Sequence, residues 1–150
     1  MNIIQQIESD VADAMKQHEE VRLSTLRLVR AAIKNQEIEQ RAKGDVDLAQ
    51  LAIAVLKRHV KQTQEAIEDF KKGNRTDLVA RAEQEIAVMQ SYLPAELSDA
   101  EISVIVDDVF AGLGDTPHQG KAIGEVMKKI AGRADGARVR NLVELRLKKV

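Results

Sequence analysis

Three histidines, His18, His59 and His118, are the side chains best suited to move a proton near neutral pH. A general base also needs a partner within hydrogen-bond reach to orient it. His59 projects onto the apolar side of a helical stretch, between Val55 and Phe70, and no carboxylate stands three or four residues away. Its plain reading is a partly buried, hydrogen-bonded imidazole. His18 and His118 show no metal-ligand spacing such as His-Glu-x-x-His and read as surface residues, so no metal site is expected. Nucleophile motifs are equally absent: there is no Gly-x-Ser-x-Gly elbow and no Ser-x-x-Lys pair. Asp107 and Asp108 are adjacent on a helix and face different directions, which makes a poor acid–base dyad. Nothing in the chain reads as a catalytic constellation.

Anion binding is the better-supported chemistry. Arg27, Arg30, Lys34 and Arg41 align along one edge of a helix, either as a phosphate-tracking stripe or as a solvated face interrupted by Glu37. The solvated face is preferred. Lys57, Arg58 and Lys61 form a second, weaker cluster read the same way. Lys128, Lys129, Arg133, Arg138 and Arg140 gather around one helix–turn–helix corner, where Asp135 begins the last helix. The free N–H groups of that helix start and the nearby guanidiniums suit a phosphate. Alternatively these bases pair with an acidic helix at 99–108, and charge leaves the two readings even. Residues 117–150 sum to +6 and residues 95–116 to -6.

Composition bounds what such residues can do. The 150 residues contain no cysteine or tryptophan and only 2% aromatics, which excludes disulfides, thiolate metal sites and thiol catalysis. Three aromatic rings are also too few for a base-stacking sheet or groove. A net charge of -1 gives no global pull toward nucleic acid or an anionic membrane. No run of eighteen apolar residues exists, and the N-terminus lacks a basic start followed by an apolar core, so the expectation is a cytoplasmic protein without a membrane role. No nucleotide cradle of the Gly-x-x-x-x-Gly-Lys or Gly-x-Gly-x-x-Gly type is present, and no cofactor is expected.

The elements that must position these residues are helical throughout. Ile4, Ile7, Val11 and Ala14 mark a first helix over about 2–18, and Leu26, Val29 and Ile33 a second over about 20–42. A third, capped by Asp45 or Asp47, carries Leu48 to Phe70 and ends before Gly73, so that the second and third form a long antiparallel hairpin. A fourth runs from Leu78 toward Leu93 and stops at Pro94. Ser98-Asp99-Ala100-Glu101 reads as a capping box for a fifth helix bearing Ile102, Ile105, Val106, Val109 and Phe110. Ile123, Val126, Met127 and Ile130 lie on a sixth, ended by Gly132. Asp135-Gly136 opens a seventh, in which Arg146 lies among apolar positions and must snorkel. The expected fold is all-α: an elongated N-terminal helical domain over 1–94, then a small three-helix domain over 95–150.

Several segments together resemble one family. Gly120-Lys121-Ala122-Ile123-Gly124, then Val126-Met127, then Gly132-Arg133-Ala134-Asp135-Gly136, resemble the tail motif of the GatB/YqeY family. Upstream, Arg22-Leu23-Ser24-Thr25-Leu26-Arg27, Lys34-Asn35-x-Glu37-Ile38 and Tyr92-Leu93-Pro94 are similar to stand-alone YqeY-like proteins. The resemblance implies a two-domain all-α protein. Its tail would be kin to the last domain of the GatB subunit of glutamine-dependent tRNA amidotransferases, which engages tRNA. It also implies association with an amidotransferase or an aminoacyl-tRNA synthetase. The family is usually described by carbon–nitrogen ligase activity with glutamine as amido-N-donor, but the amidase apparatus and GatB's catalytic portion have no counterpart here. On this resemblance the chain is a tRNA-binding accessory, with Lys121, Lys128, Lys129, Arg133 and Arg138 as the tRNA contacts. One alternative is a subunit contributing to amidation, and another is a helical interaction module with no RNA role.

Overall fold

A computed structural model describes residues 1–114, 118–130 and 133–148. Seven helices account for 81% of them: α1 (Ile3–Lys16), α2 (Glu20–Arg41), α3 (Leu48–Lys72), α4 (Thr76–Gln90), α5 (Asp99–Leu113), α6 (Gln119–Ile130) and α7 (Gly136–Lys148). No strand occurs among the described residues, and the fold is all-α. None of these helices is long and apolar enough to cross a membrane. The chain divides into two compact units, Met1–Leu93 and Pro94–Val150.

Caps and turns set the helix limits. Asp47, rather than Asp45, caps α3, its carboxylate accepting from the N–H groups of Ala49 and Gln50. Asn2 and Gln5 close a capping box on α1 in the manner of Ser98 and Glu101 on α5. The ends of α1 and α3 share one device. In α1 the N–H of Glu19 bonds the Ala14 carbonyl (3.0 Å) and that of His18 bonds Met15 (3.3 Å). In α3 Arg75 reaches back to Phe70 (2.9 Å) and Asn74 to Lys71 (3.1 Å). Both are Schellman closures, and the left-handed residues in them are His18 (φ 57°) and Asn74 (φ 55°). Gly73, the expected stop of α3, keeps an ordinary φ of -86°.

In the N-terminal unit Ile7, Val11, Leu26, Val29, Ile33, Leu56 and Met89 form one core drawn from all four helices. Helices α2 and α3 pack on one another, but α3 packs more extensively on α4, so the expected hairpin is one part of a four-helix unit. Thr25 is the one buried polar residue among those described, and its hydroxyl donates to the Val21 carbonyl at 2.8 Å. In the C-terminal unit Ile102, Val106, Val109 and Phe110 of α5 meet Ala122, Val126 and Ile130 of α6 and Val139 and Val143 of α7. Each helix of that unit touches the other two.

Candidate nucleic-acid interface

The basic corner is built on the turn between α6 and α7. The Arg133 carbonyl accepts the Leu97 N–H at 2.8 Å, tying this turn to the segment that enters α5. Ala134 is buried beside it, and Asp135 accepts the Ala137 N–H at 3.1 Å. The α7 start therefore already carries a carboxylate, which occupies part of the positive helix end that a phosphate was expected to use. Gly136 is the first residue of α7, and a Cβ there would meet nothing within 4 Å. Gly132 of the same motif lies outside the described residues.

The five expected contact residues fall into two groups. Arg138 is held by α5: its guanidinium donates to Asp99 at 2.7 and 3.2 Å and to the Leu97 carbonyl at 3.0 Å, with Glu96 at 3.6 Å. The Asp99 carboxylate raises the Arg138 pKa above its ordinary value. Eight residues further along each helix, Arg146 donates to Asp107 at 2.8 Å and lies over the Phe110 ring, 5.4 Å from its centre. Both pairs join residues 39 apart, so α5 and α7 run in the same sense and share a fixed register. Part of the +6 tail thus neutralises the acidic helix inside the unit.

The other four, Lys121, Lys128, Lys129 and Arg133, are exposed. Lys128 makes one loose pair with Glu125 at 3.4 Å while its side chain stays 77% exposed. Lys128 and Lys129 sit in the last turn of α6, where they also complement the helix dipole. Lys128, Lys129 and Arg133 share that end, whereas Lys121 lies eight residues before Lys129, about 12 Å along the axis. Lys121 and Lys128 are seven apart on one face, with Gly124 between them. A Cβ on Gly124 would meet nothing within 4 Å, so no packing in the unit requires glycine there.

The histidines support no catalytic site. Burial, then the neighbouring Arg58 charge, lowers the His59 pKa, and its ring makes no hydrogen bond among the described residues. His59 is half-buried, as expected, and none of the described side chains or backbone groups is its hydrogen-bond partner. His18 serves the α1 turn. His118 Nδ1 accepts the Gly120 N–H at 3.2 Å at the start of α6.

The YqeY-like protein family matches residues 4–147. The chain belongs to that family. As a YqeY-like protein it is similar to the altered inheritance of mitochondria protein 41 of several fungi. It is 33% identical to that of Lachancea thermotolerans over 116 residues, covering 75% of this chain and 60% of that protein. Against that of Pyrenophora tritici-repentis it is 25% identical over 136 residues, covering 88% and 73%. With that of Kluyveromyces lactis it shares 30% over 110 residues, covering 69% and 58%. The YqeY-like chain thus spans about three-fifths of the Lachancea protein's length. All three relatives carry the word mitochondrial in their names, which overturns the cytoplasmic expectation. That expectation rested on the lack of a long apolar run and of a basic start followed by an apolar core, which are marks of membrane and secreted proteins and do not separate cytoplasm from mitochondrion.

One constellation escaped the sequence reading. Arg22 and Tyr92, both in segments that resemble YqeY-like proteins, meet at Asp10: the Tyr92 hydroxyl donates to one carboxylate oxygen and Arg22 lies 3.5 Å from the other. Arg22 also donates to Glu19 at 2.8 Å. The network joins α1, α2 and the chain just past α4. Its only advance signal was the pairing of a charged and a phenolic residue with no assigned role.

Proposed function

We propose that this YqeY-like chain is a non-catalytic accessory that binds tRNA through the α6 end of its C-terminal unit. In the same proposal it works beside an aminoacyl-tRNA synthetase or a tRNA amidotransferase. The observation that carries the reading is the division of labour among the tail's bases. Arg138 and Arg146 are committed to α5, and the exposed Lys121, Lys128, Lys129 and Arg133 remain for phosphate. Arg138 then holds the corner in shape instead of touching RNA. Few contacts and no aromatic platform imply weak binding read by shape, useful when a second RNA-binding protein holds the same tRNA. Independent amidation is no part of this proposal: the serine that meets a carboxylate, Ser98 with Glu101 at 3.2 Å, is used to cap α5.

Purified chain and total tRNA test this in a filter-binding titration at low salt. Lys129→Ala with Arg133→Ala weakens binding at unchanged melting temperature. Arg138→Ala lowers the melting temperature, and any loss of binding follows that loss of structure. Equal tRNA affinity for wild type and the Lys129/Arg133 variant overturns the reading.

A further inference from the structure

We infer that the outer face of α3 is a contact surface for the phosphate backbone of an RNA helix, separate from the one at the α6 end. This surface depends on the tRNA reading only in the choice of RNA over DNA. Residues 48–64 hold Lys57, Arg58 and Lys61 and no acid. Gln50, Ala54, Lys57, Lys61 and Gln64 follow one another at spacings of four, three, four and three. They therefore share one face of α3 over about 21 Å, with Arg58 at its edge.

These bases differ from those of α2 in having no carboxylate to meet. On α2, Arg22 meets Asp10 and Glu19, Arg30 meets Glu8, and Glu37 holds both Lys34 and Arg41. Lys57, Arg58 and Lys61 make no ion pair among the described residues; Arg58 and Lys61 are exposed and Lys57 is half-buried. Glu65, four residues past Lys61, forms no pair with it, lysine before glutamate being the weaker order at that spacing. Arg58 instead acts on His59, whose pKa burial and then the Arg58 charge lower. The cluster that looked the weaker of the two in sequence is thus the one left open to an outside anion.

The other exposed residues between 48 and 64 are Ala49, Gln50, Ala54, Gln62 and Gln64. The three glutamine side chains have no hydrogen-bond partner among the described residues. Such a face offers donors and no large apolar side chain. A protein partner would find no apolar anchor at the centre of the contact, and a bilayer nothing to take up. A phosphate backbone needs only cations and donors. With no Phe, Tyr or Trp in this stretch, single-stranded bases have nothing to stack on. A helical backbone is the anion that fits.

The probe is an RNA duplex of about ten base pairs, titrated into the isotopically labelled full chain, with affinity read from the amides of residues 48–64. Arg58→Ala with Lys61→Ala changes two exposed side chains and leaves the core intact. This variant should bind more weakly at α3. Its deficit should shrink about tenfold between 50 and 200 mM salt, as the loss of two phosphate contacts requires. Lys129→Ala with Arg133→Ala should leave the α3 shifts unchanged, and their loss in that variant would overturn the proposal. Equal α3 affinity for wild type and the Arg58/Lys61 variant would do the same, as would tighter binding of a DNA duplex of the same length. So would α3 shifts produced by polyglutamate or by phosphatidylglycerol vesicles and not by the RNA. Shifts at α3 with none at the α6 end would uphold this surface and count against the tRNA reading. Shifts at the α6 end alone would overturn this surface and leave that reading standing.

Discussion

Replacing Tyr92 with phenylalanine removes one hydroxyl from the Asp10–Arg22–Tyr92 network and leaves the ring in place. Asp10 has a side chain only 13% exposed, so it cannot recover full hydration, and its cationic neighbour, Arg22, is 3.5 Å away. A hydrogen bond to a charged group is worth about 1.5–3 kcal/mol, and solvent around the half-buried ring reduces this to roughly 1–2 kcal/mol. In a unit of this size that corresponds to a melting temperature lower by roughly 4–16 °C. The pH dependence is the sharper signature. Burial, then the bond to Asp10, raises the Tyr92 pKa above its ordinary value. A raised folded-state pKa means that the contribution is complete below the unfolded value of about 10 and disappears as pH rises beyond it. Thermal melts followed by circular dichroism at pH 7, 9 and 10.5 should therefore show a gap between wild type and Tyr92→Phe that is constant to pH 9 and narrows at 10.5. An unchanged melting temperature at pH 7, or a gap that persists unaltered at pH 10.5, would refute the reasoning.

Three further outcomes follow from caps and backbone. Gly124→Ala should stabilise the C-terminal unit by about 0.5–1 kcal/mol in urea unfolding, since a mid-helix glycine is costly and its Cβ has open space; destabilisation would show an unrecognised packing constraint. Ser98→Ala should cost about 0.5–2 kcal/mol by the same assay, through loss of the bond that caps α5. His18→Gly should stabilise the N-terminal unit by about 1 kcal/mol, because only the left-handed turn constrains that position.

The helices were legible because each buries a stripe of period 3.6, and because Asp47, Ser98 and Asp135 announce their starts. The stop of α3 before Gly73 was legible as well, but not the turn that follows it: its left-handed residue is Asn74 and not the glycine. Long-range polar pairs were the least legible. Tyr92 and Asp10 lie 82 residues apart, and no local pattern connects them. The opposed charges of the tail and the acidic helix were visible in the sequence, but which arginine meets which acid depends on the register of α5 against α7. That register divides the basic residues: it withdraws Arg138 and Arg146 and leaves Lys121, Lys128, Lys129 and Arg133 outside.

The salt dependence of tRNA affinity tests that division most directly. Under the proposed tRNA reading, three or four phosphates met by the exposed bases should give a log–log slope of about -2 to -4 between 25 and 200 mM salt, from the counterion-release relation. Lys129→Ala with Arg133→Ala should bring the slope to about -1 to -2 with the helices intact. A wild-type slope near zero, or a variant slope equal to that of wild type, would contradict the assignment of these bases to tRNA.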